Sequence, residues 1–213
     1  SIVIDGYKSP NWGKTEKTSS MRFIYNRLSG TKRFHEGVGP WGIHNKTKEV
    51  MRQLCREFCR WYAANQTIPK GTLIGYSTGA VVAANAAYAF TEKGCSCPSA
   101  GGFENCGQNY VTFVGLIDPS AGPFGDEGQA LEMGVWTKTI KSSVKRFAIV
   151  RPKQRERTKI FMPVNYAIED PTKTNVKSAV IGDNHPDLDK EWEAEDFIIR
   201  EAKLAGMLFK KKK

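Results

Sequence analysis

The chain has 213 residues, of which 40% are hydrophobic, and a formal net charge of +10. This length suffices for one well-buried core, so we expect a single domain over residues 1–209 and a basic, disordered tail over 210–213. No run of about 18 apolar residues occurs, which excludes a transmembrane helix. The first residues lack the pattern of a signal peptide, which predicts a cytoplasmic protein or one exported without a cleaved signal.

The first half of the chain alternates apolar strands with helical patterns. Ile2–Ile4 is a short apolar strand, and residues 21–25 are a second strand or the end of a short helix. A long helix is expected over residues 45–65, because apolar residues recur there at three- and four-residue spacing. Residues 72–74 form a further apolar strand that leads into a glycine-containing turn.

The second half continues the same alternation. Residues 110–117 are the clearest buried strand, and further strands are expected over 144–150 and 176–181. An amphipathic helix is expected over residues 190–209. Strands that alternate with helices predict an α/β fold: a doubly wound, mostly parallel sheet with helices on both faces.

The stretch Gly75-Tyr76-Ser77-Thr78-Gly79 has the G-x-S-x-G pattern of a nucleophile elbow. An apolar strand precedes it and a run of small residues with helical character follows, which is the setting the motif requires. The sharp turn strains the backbone at the serine, so the residues two before and two after must be small. The alternative interpretation is a glycine-rich turn whose serine caps the helix.

A serine nucleophile needs a base, and the base needs an orienting acid. In folds with this elbow the chain order is serine, acid, histidine. His35 and His44 precede the elbow, which leaves His185 as the candidate base. Asp118 is the preferred acid, because it ends the strong strand that follows the elbow helix, and Asp170 is the alternative.

The oxyanion hole would combine two backbone N–H groups. One belongs to Thr78, directly after the serine, and the other to the loop after an earlier strand. Gly6 or Tyr7 is the expected second donor, because both follow the first strand. Asp5 at the end of that strand is expected to hold the loop in shape by hydrogen bonds.

The five cysteines cannot all pair within one chain. Cys55 and Cys59 lie on one face of the predicted long helix and are interpreted as small core residues. Cys95, Cys97 and Cys106 lie in a loop and make either one disulfide or an incomplete metal site. Their spacing is not that of a zinc knuckle. We therefore expect no metal, no other cofactor and a reducing compartment.

A basic stretch between Lys141 and Lys159 suits an anionic surface such as phospholipid head groups, or else a solvated basic face. A second hypothesis follows from this charge: a catalytically inactive hydrolase fold that binds nucleic acid or an acidic protein. Nucleic acid is the less favoured partner, because the basic residues lack interleaved aromatic side chains and no DNA-binding motif occurs. The oligomeric state stays open.

Several of these segments resemble an α/β-hydrolase family that includes bacterial type VI secretion phospholipase effectors. The resemblance implies a serine hydrolase that cleaves a carboxylic ester, with lipids or phospholipids as the substrate class and a small soluble ester as the alternative. The matching segments are Ile4-Asp5-Gly6, Phe34-His35-Glu36-Gly37-Val38-Gly39, the elbow, Phe113-Val114-Gly115-Leu116-Ile117-Asp118, and more weakly residues 146–163 and 182–185.

The chain also departs from that family. Tyr76 and Thr78 flank the serine where the family has a G-F-S-R-G type of elbow, and Pro186 follows the candidate histidine in place of glycine. The chain is also short, so the lid and membrane-docking insertions of the effectors are expected to be missing or reduced. The segment from Gly115 to Pro123 is similar to the G-L-D-P-A-x-P stretch of pancreatic-type lipases, and this second resemblance implies that Asp118 is the acid.

Overall fold

A computed structural model of the chain describes residues 1–6, 20–36, 42–65, 67–97, 103–106, 109–121, 139–153, 162–183, 188 and 192–210. The helices in these ranges are α1 (Ser20–Arg27), α2 (Ile43–Asn65), α3 (Thr78–Lys93) and α4 (Trp192–Leu204). The strands are β1 (Ile2–Ile4), β2 (Arg33–His35), β3 (Gly71–Tyr76), β4 (Cys95–Cys97), β5 (Phe103–Cys106), β6 (Val111–Ile117), β7 (Ser120–Ala121), β8 (Thr139–Ile140), β9 (Arg146–Arg151), β10 (Met162–Pro163), β11 (Ala167–Ile168) and β12 (Asn175–Val180).

Six of the strands form one parallel sheet in the order β2-β1-β3-β6-β9-β12. Strand β2 lies on one side of β1 and β3 on the other, and β6, β9 and β12 are then each added beside the preceding strand of this sheet. The direction of winding therefore reverses at β1. The remaining strands make small pairs: β4 with β5, β7 with β10, and β8 with β11.

Helices cover both faces of the sheet, which confirms the predicted doubly wound α/β architecture. The side chains of β1 show how the two faces are divided. Ile2 and Ile4 belong to the apolar cluster that includes α2 and α3, whereas Val3 belongs to the cluster with α1 and α4. Successive strand residues point to opposite faces, so a wholly apolar strand is what a sheet covered on both sides requires.

The elbow helix α3 is buried along nearly its whole length, because it lies between the sheet and α2. Its small residues, mostly alanine from Ala80 to Ala89, allow this close approach. The covering face of α2 supplies Val50, Leu54 and Phe58, which are buried at three- and four-residue spacing as predicted. Within the described part of the chain, no helix is both long and apolar enough to cross a membrane.

Three local expectations were decided or corrected. Residues 21–25, for which a strand or the end of a short helix was expected, lie inside the short helix α1. Strand β2 was not predicted at all, since three residues at a sheet edge carry no readable pattern. The last helix ends at Leu204, earlier than expected, because Gly206 adopts φ 87° and Met207 N–H bonds back to the Ala202 carbonyl. That combination is the hydrogen-bonded C-terminal cap typical of glycine.

The cysteine interpretation was wrong in its pairing. Cys55 is bonded to Cys95 and Cys59 to Cys97, with Cα–Cα distances of 5.5 and 5.4 Å. The pairs join α2 to β4 across 40 and 38 residues of sequence. Cys55 and Cys59 are therefore bridging residues and not merely small core residues.

Candidate active site

The candidate site lies at the carboxyl edge of the sheet, where the strand order reverses. In open α/β sheets, ligands bind in the crevice outside the carboxyl ends of the strands at this reversal. Gly6 follows β1, Ser77 follows β3 and Asp118 follows β6, and these three strands are neighbours. The topology therefore brings three of the predicted site residues to one edge.

Ser77 has the backbone conformation of a strained turn. Its φ is 53° and its ψ is −123°, a combination that residues with a side chain rarely adopt. Its N–H donates to the Ile117 carbonyl at 2.9 Å, and its own carbonyl accepts from Ala80 N–H at 3.1 Å. Strand β6 and the first turn of α3 thus hold the serine from both sides.

The two motif glycines are required because other backbone atoms occupy the space of a side chain. A Cβ on Gly75 would lie 2.6 Å from the nitrogen and from the Cα of Ala80. A Cβ on Gly79 would lie 2.6 Å from the Ile4 carbonyl oxygen, at the end of β1. Both distances are shorter than real Cβ contacts, which confirms that these positions must be glycine.

Gly6 lies directly against the serine. A Cβ on Gly6 would be 2.8 Å from the Ser77 Cβ. The Gly6 N–H donates to Oδ1 of the buried Asp5 at 2.9 Å, and Asp5 N–H donates to the His35 carbonyl at 2.9 Å. Gly6 is therefore brought to the site, and Asp5 makes the loop-holding hydrogen bonds that were expected of it.

Thr78 is the first residue of the 16-residue helix α3 and is fully buried beside Ser77. The start of a helix carries a partial positive charge and directs backbone N–H groups outward. A negative charge that develops next to Ser77 would meet this helix end. The second predicted donor, Tyr7, lies outside the described residues.

Asp118 lies beside the elbow and also has a positive φ, of 38°. Its side chain is 4% exposed, and its N–H donates to the Val150 carbonyl at 2.8 Å. Ser120 links it to the serine: Ser120 N–H donates to the Ser77 carbonyl at 3.3 Å, and Ser120 Oγ donates to the Asp118 carbonyl at 3.1 Å. Sequence reasoning missed Ser120, although its position two residues after the acid was a readable signal.

Asp170 is not brought to Ser77. Its carboxylate accepts from Thr172 at 2.6 Å and pairs with Lys173 at 3.2 Å, and these hydrogen bonds hold its pKa below the ordinary value. It precedes β12, whose first residue bonds to Lys145 just before β9. Asp170 therefore lies toward the amino edge of the sheet, about 20 Å of strand away from the carboxyl edge.

His185 lies outside the described residues, so its role stays a prediction. His35 is described, and its ring is fully engaged by α2. Its Nε2 lies 2.9 Å from Gln53 Oε1 and its Nδ1 lies 3.3 Å from Glu49 Oε1. Burial lowers the pKa of His35. Its carbonyl accepts from Asp5, so this histidine supports the loop beside Ser77.

Three cations of the basic stretch are paired with carboxylates in the described residues. Lys141 bonds to Glu92 at 2.6 Å and to Glu169 at 2.7 Å. Arg146 Nε lies 2.7 Å from a carboxylate oxygen of Glu201. Lys153 pairs with Asp183 at 3.4 Å, and residues 154–161 lie outside the described part. Lys141, Arg146 and Lys153 each therefore have a carboxylate partner among the described residues.

The comparisons with known proteins show a shared fold at low identity. No family model matches the sequence, and no curated protein does. A solved structure with a similar fold is that of the Tle1 effector bound to the VgrG spike from the type 6 secretion system, with a TM-score of 0.51 and 17% identity. The match covers 80% of this chain and 40% of that one, so this chain spans less than half of its neighbour's length.

Proposed function

We propose that the protein is a serine hydrolase that cleaves a carboxylic ester. One observation carries the proposal: Ser77 has the strained conformation of a nucleophile elbow at the carboxyl edge of a parallel sheet, next to Gly6 and the start of α3. A capping serine in an ordinary turn needs neither a positive φ nor the two obligatory glycines around it. The elbow is therefore favoured over the capping interpretation.

In the proposed mechanism Ser77 Oγ attacks the ester carbonyl. His185 takes the serine proton and later gives it to the leaving alcohol, and Asp118 holds the imidazole in the required tautomer. The N–H groups of Thr78 and Gly6 stabilise the oxyanion. For this, Gly6 exchanges its hydrogen bond to Asp5 for one to the oxyanion. Water then cleaves the acyl-enzyme on Ser77.

We further propose a lipid or phospholipid ester as the substrate. Glu201, late in α4, bonds Arg146 at the start of β9, so α4 runs antiparallel to the strands. Its first residue, Trp192, therefore lies toward the same edge as Ser77. Trp192 is 68% exposed, and Val180 at the carboxyl end of β12 is 65% exposed. Exposed aromatic and aliphatic groups beside a site suit peripheral contact with a membrane surface, including an anionic one.

Labelling with a fluorophosphonate probe tests the reaction. The wild-type chain should be labelled covalently, and Ser77→Ala should not. Ser178→Ala is the matched control, because Ser178 is an exposed serine on the edge strand β12 and should leave labelling unchanged. Equal labelling of the wild type and Ser77→Ala would reject the serine nucleophile.

A comparison of two substrates tests the class. Trp192→Ser should lower hydrolysis of phospholipid vesicles several-fold and leave hydrolysis of a short soluble ester unchanged. Trp61→Ser is the control, because Trp61 is an exposed tryptophan near the far end of α2. If Trp192→Ser affects both substrates equally, or neither, the lipid proposal fails while the hydrolase proposal stands.

A further inference from the structure

The two disulfides attach α2 to β4 at two points with matching spacing. Cys55 and Cys59 are four residues apart on one face of a helix, which corresponds to a rise of about 6 Å. Cys95 and Cys97 are two residues apart on one face of a strand, a rise of about 7 Å. Because these distances agree, the two cysteines of the helix can face the two cysteines of the strand.

Two attachment points fix more than one does. A single bond would hold α2 near β4 but would leave the helix free to rotate about the bond. The second bond removes that rotation and also prevents sliding along the strand. Cys95 and Cys97 are buried, so the attachment lies in the apolar layer between α2 and the hairpin of β4 and β5.

The attached helix also supports the candidate site. Gln53 and Glu49 precede Cys55 on the same helix, and they contact the two ring nitrogens of His35. The His35 carbonyl in turn accepts from Asp5, next to Gly6. On the other side, β4 follows directly after α3, which begins at the elbow. The position of α2 therefore affects both the loop that contains Gly6 and the helix α3 that follows Ser77.

We propose that these bonds are a redox-dependent clamp, that the oxidised chain is the working form, and that the protein acts in an oxidising compartment. Disulfides persist outside the reducing cytosol and are rare within it. The two disulfides therefore favour an oxidising compartment over the reducing compartment that the sequence analysis had predicted. Where dithiol reductants are present, both bonds open and α2 loosens from the hairpin.

The redox step is balanced for each bond. One dithiol reductant transfers two electrons and two protons to a disulfide, giving two cysteine thiols and one oxidised reductant. Full opening of the clamp needs two such equivalents. Closure is the reverse step, with a disulfide-containing oxidant as the electron acceptor.

Thermal unfolding with and without a dithiol reductant tests the clamp. After reduction is verified by mass spectrometry, the wild-type Tm should fall by about 13 °C or more, from the loop-entropy and size relations for a chain of this length. Either paired variant, Cys55→Ala with Cys95→Ala or Cys59→Ala with Cys97→Ala, should lose only about 5–10 °C, because the remaining bond still closes almost the same loop. The variant with all four replacements is the control, and its Tm should not respond to the reductant.

Hydrogen exchange gives a readout specific to the clamp. Reduction should accelerate exchange in α2 and in the hairpin far more than in β6. Unchanged Tm and unchanged α2 exchange in the fully reduced chain would overturn the proposal, as would a disulfide map with different partners. These readouts do not depend on whether Ser77 is a nucleophile.

Discussion

The two edges of the central sheet differ in how their buried polar groups are held. At the amino edge the charges are paired, as in Arg146 with Glu201 and Lys141 with Glu92 and Glu169. At the carboxyl edge Ser77 and Asp118 are buried, and both have positive φ angles. Ion pairs stabilise a fold, whereas strained backbone persists only when its surroundings impose it and is concentrated at functional sites.

This contrast predicts that the two edges respond differently to substitution. Changes at the carboxyl edge should affect turnover more than folding, and changes at the amino edge should affect folding more than turnover. The two candidate acids allow the most direct test, because Asp118 lies at the carboxyl edge and Asp170 lies toward the amino edge.

Asp118→Asn should lower kcat by about 10³- to 10⁴-fold, because asparagine would favour the wrong histidine tautomer. Asp170→Asn should leave kcat within about twofold, since its partners Thr172 and Lys173 belong to the exposed turn before β12. Steady-state kinetics on a soluble ester measures both. A large loss in Asp170→Asn alone would reverse the assignment of the acid.

Arg146→Met should destabilise the fold by about 3 kcal/mol, because it leaves the carboxylate of Glu201, 4% exposed, without its main partner. The corresponding fall in Tm is about 6–12 °C. Turnover at 25 °C should stay near the wild-type value. Lys173→Met, which removes an exposed partner of Asp170, is the matched control and should leave Tm nearly unchanged. If Arg146→Met lost activity without losing stability, the division between the edges would be wrong.

Gly79→Ala should destabilise the protein by about 1–3 kcal/mol, because the new methyl group meets the carbonyls at the end of β1. Turnover should also fall, since those carbonyls belong to the loop beside Ser77. Gly30→Ala is the control: Gly30 has φ 74° but no atom within 4 Å of the added Cβ, so it changes backbone strain alone. Chemical denaturation and kinetics of the two variants distinguish the steric effect from the conformational one.

Glu169 predicts a small, pH-dependent contribution from the amino edge. Its hydrogen bonds with Lys141 and with the Ser142 N–H lower its pKa to about 2 from an ordinary value of 4.5. The stabilisation is fully present above pH 4.5 and is lost as the pH falls toward 2. Because the side chain is 37% exposed and therefore screened by solvent, it amounts to about 1 kcal/mol or less. The Tm difference between wild type and Glu169→Gln should shrink over this range, and a constant difference would contradict the pKa shift.

The sequence predicted those features that depend on local patterns. The wholly apolar β1 and β6 indicated a sheet covered on both faces, and the helical spacing of Val50, Leu54 and Phe58 indicated the buried face of α2. The elbow was readable because its geometry demands glycine at two fixed positions. Asp118 was placed because the carboxyl ends of neighbouring parallel strands meet at one edge.

Features that depend on contacts distant in sequence were not readable. The disulfides join residues 38 and 40 positions apart, and nothing local distinguishes Cys55 from an unbridged core cysteine. Asp170 stayed an alternative acid, because its position in the sheet follows only from the pairing of β12 with β9. Likewise, the ion pairs of Lys141 and Arg146 become visible only when α3 and α4 are packed on the sheet.

The sheet order also has a consequence for the kinetics of folding. Ser77 acquires its strained backbone only when β3 lies between β1 and β6. These two neighbours are separated in the sequence by residues 5–110. Contacts of such long range form late, because loop closure must precede them. The elbow therefore should have φ-values near zero in folding experiments, with Gly79→Ala accelerating unfolding and leaving the refolding rate almost unchanged. The nascent chain would carry no reactive serine until β6 has been made.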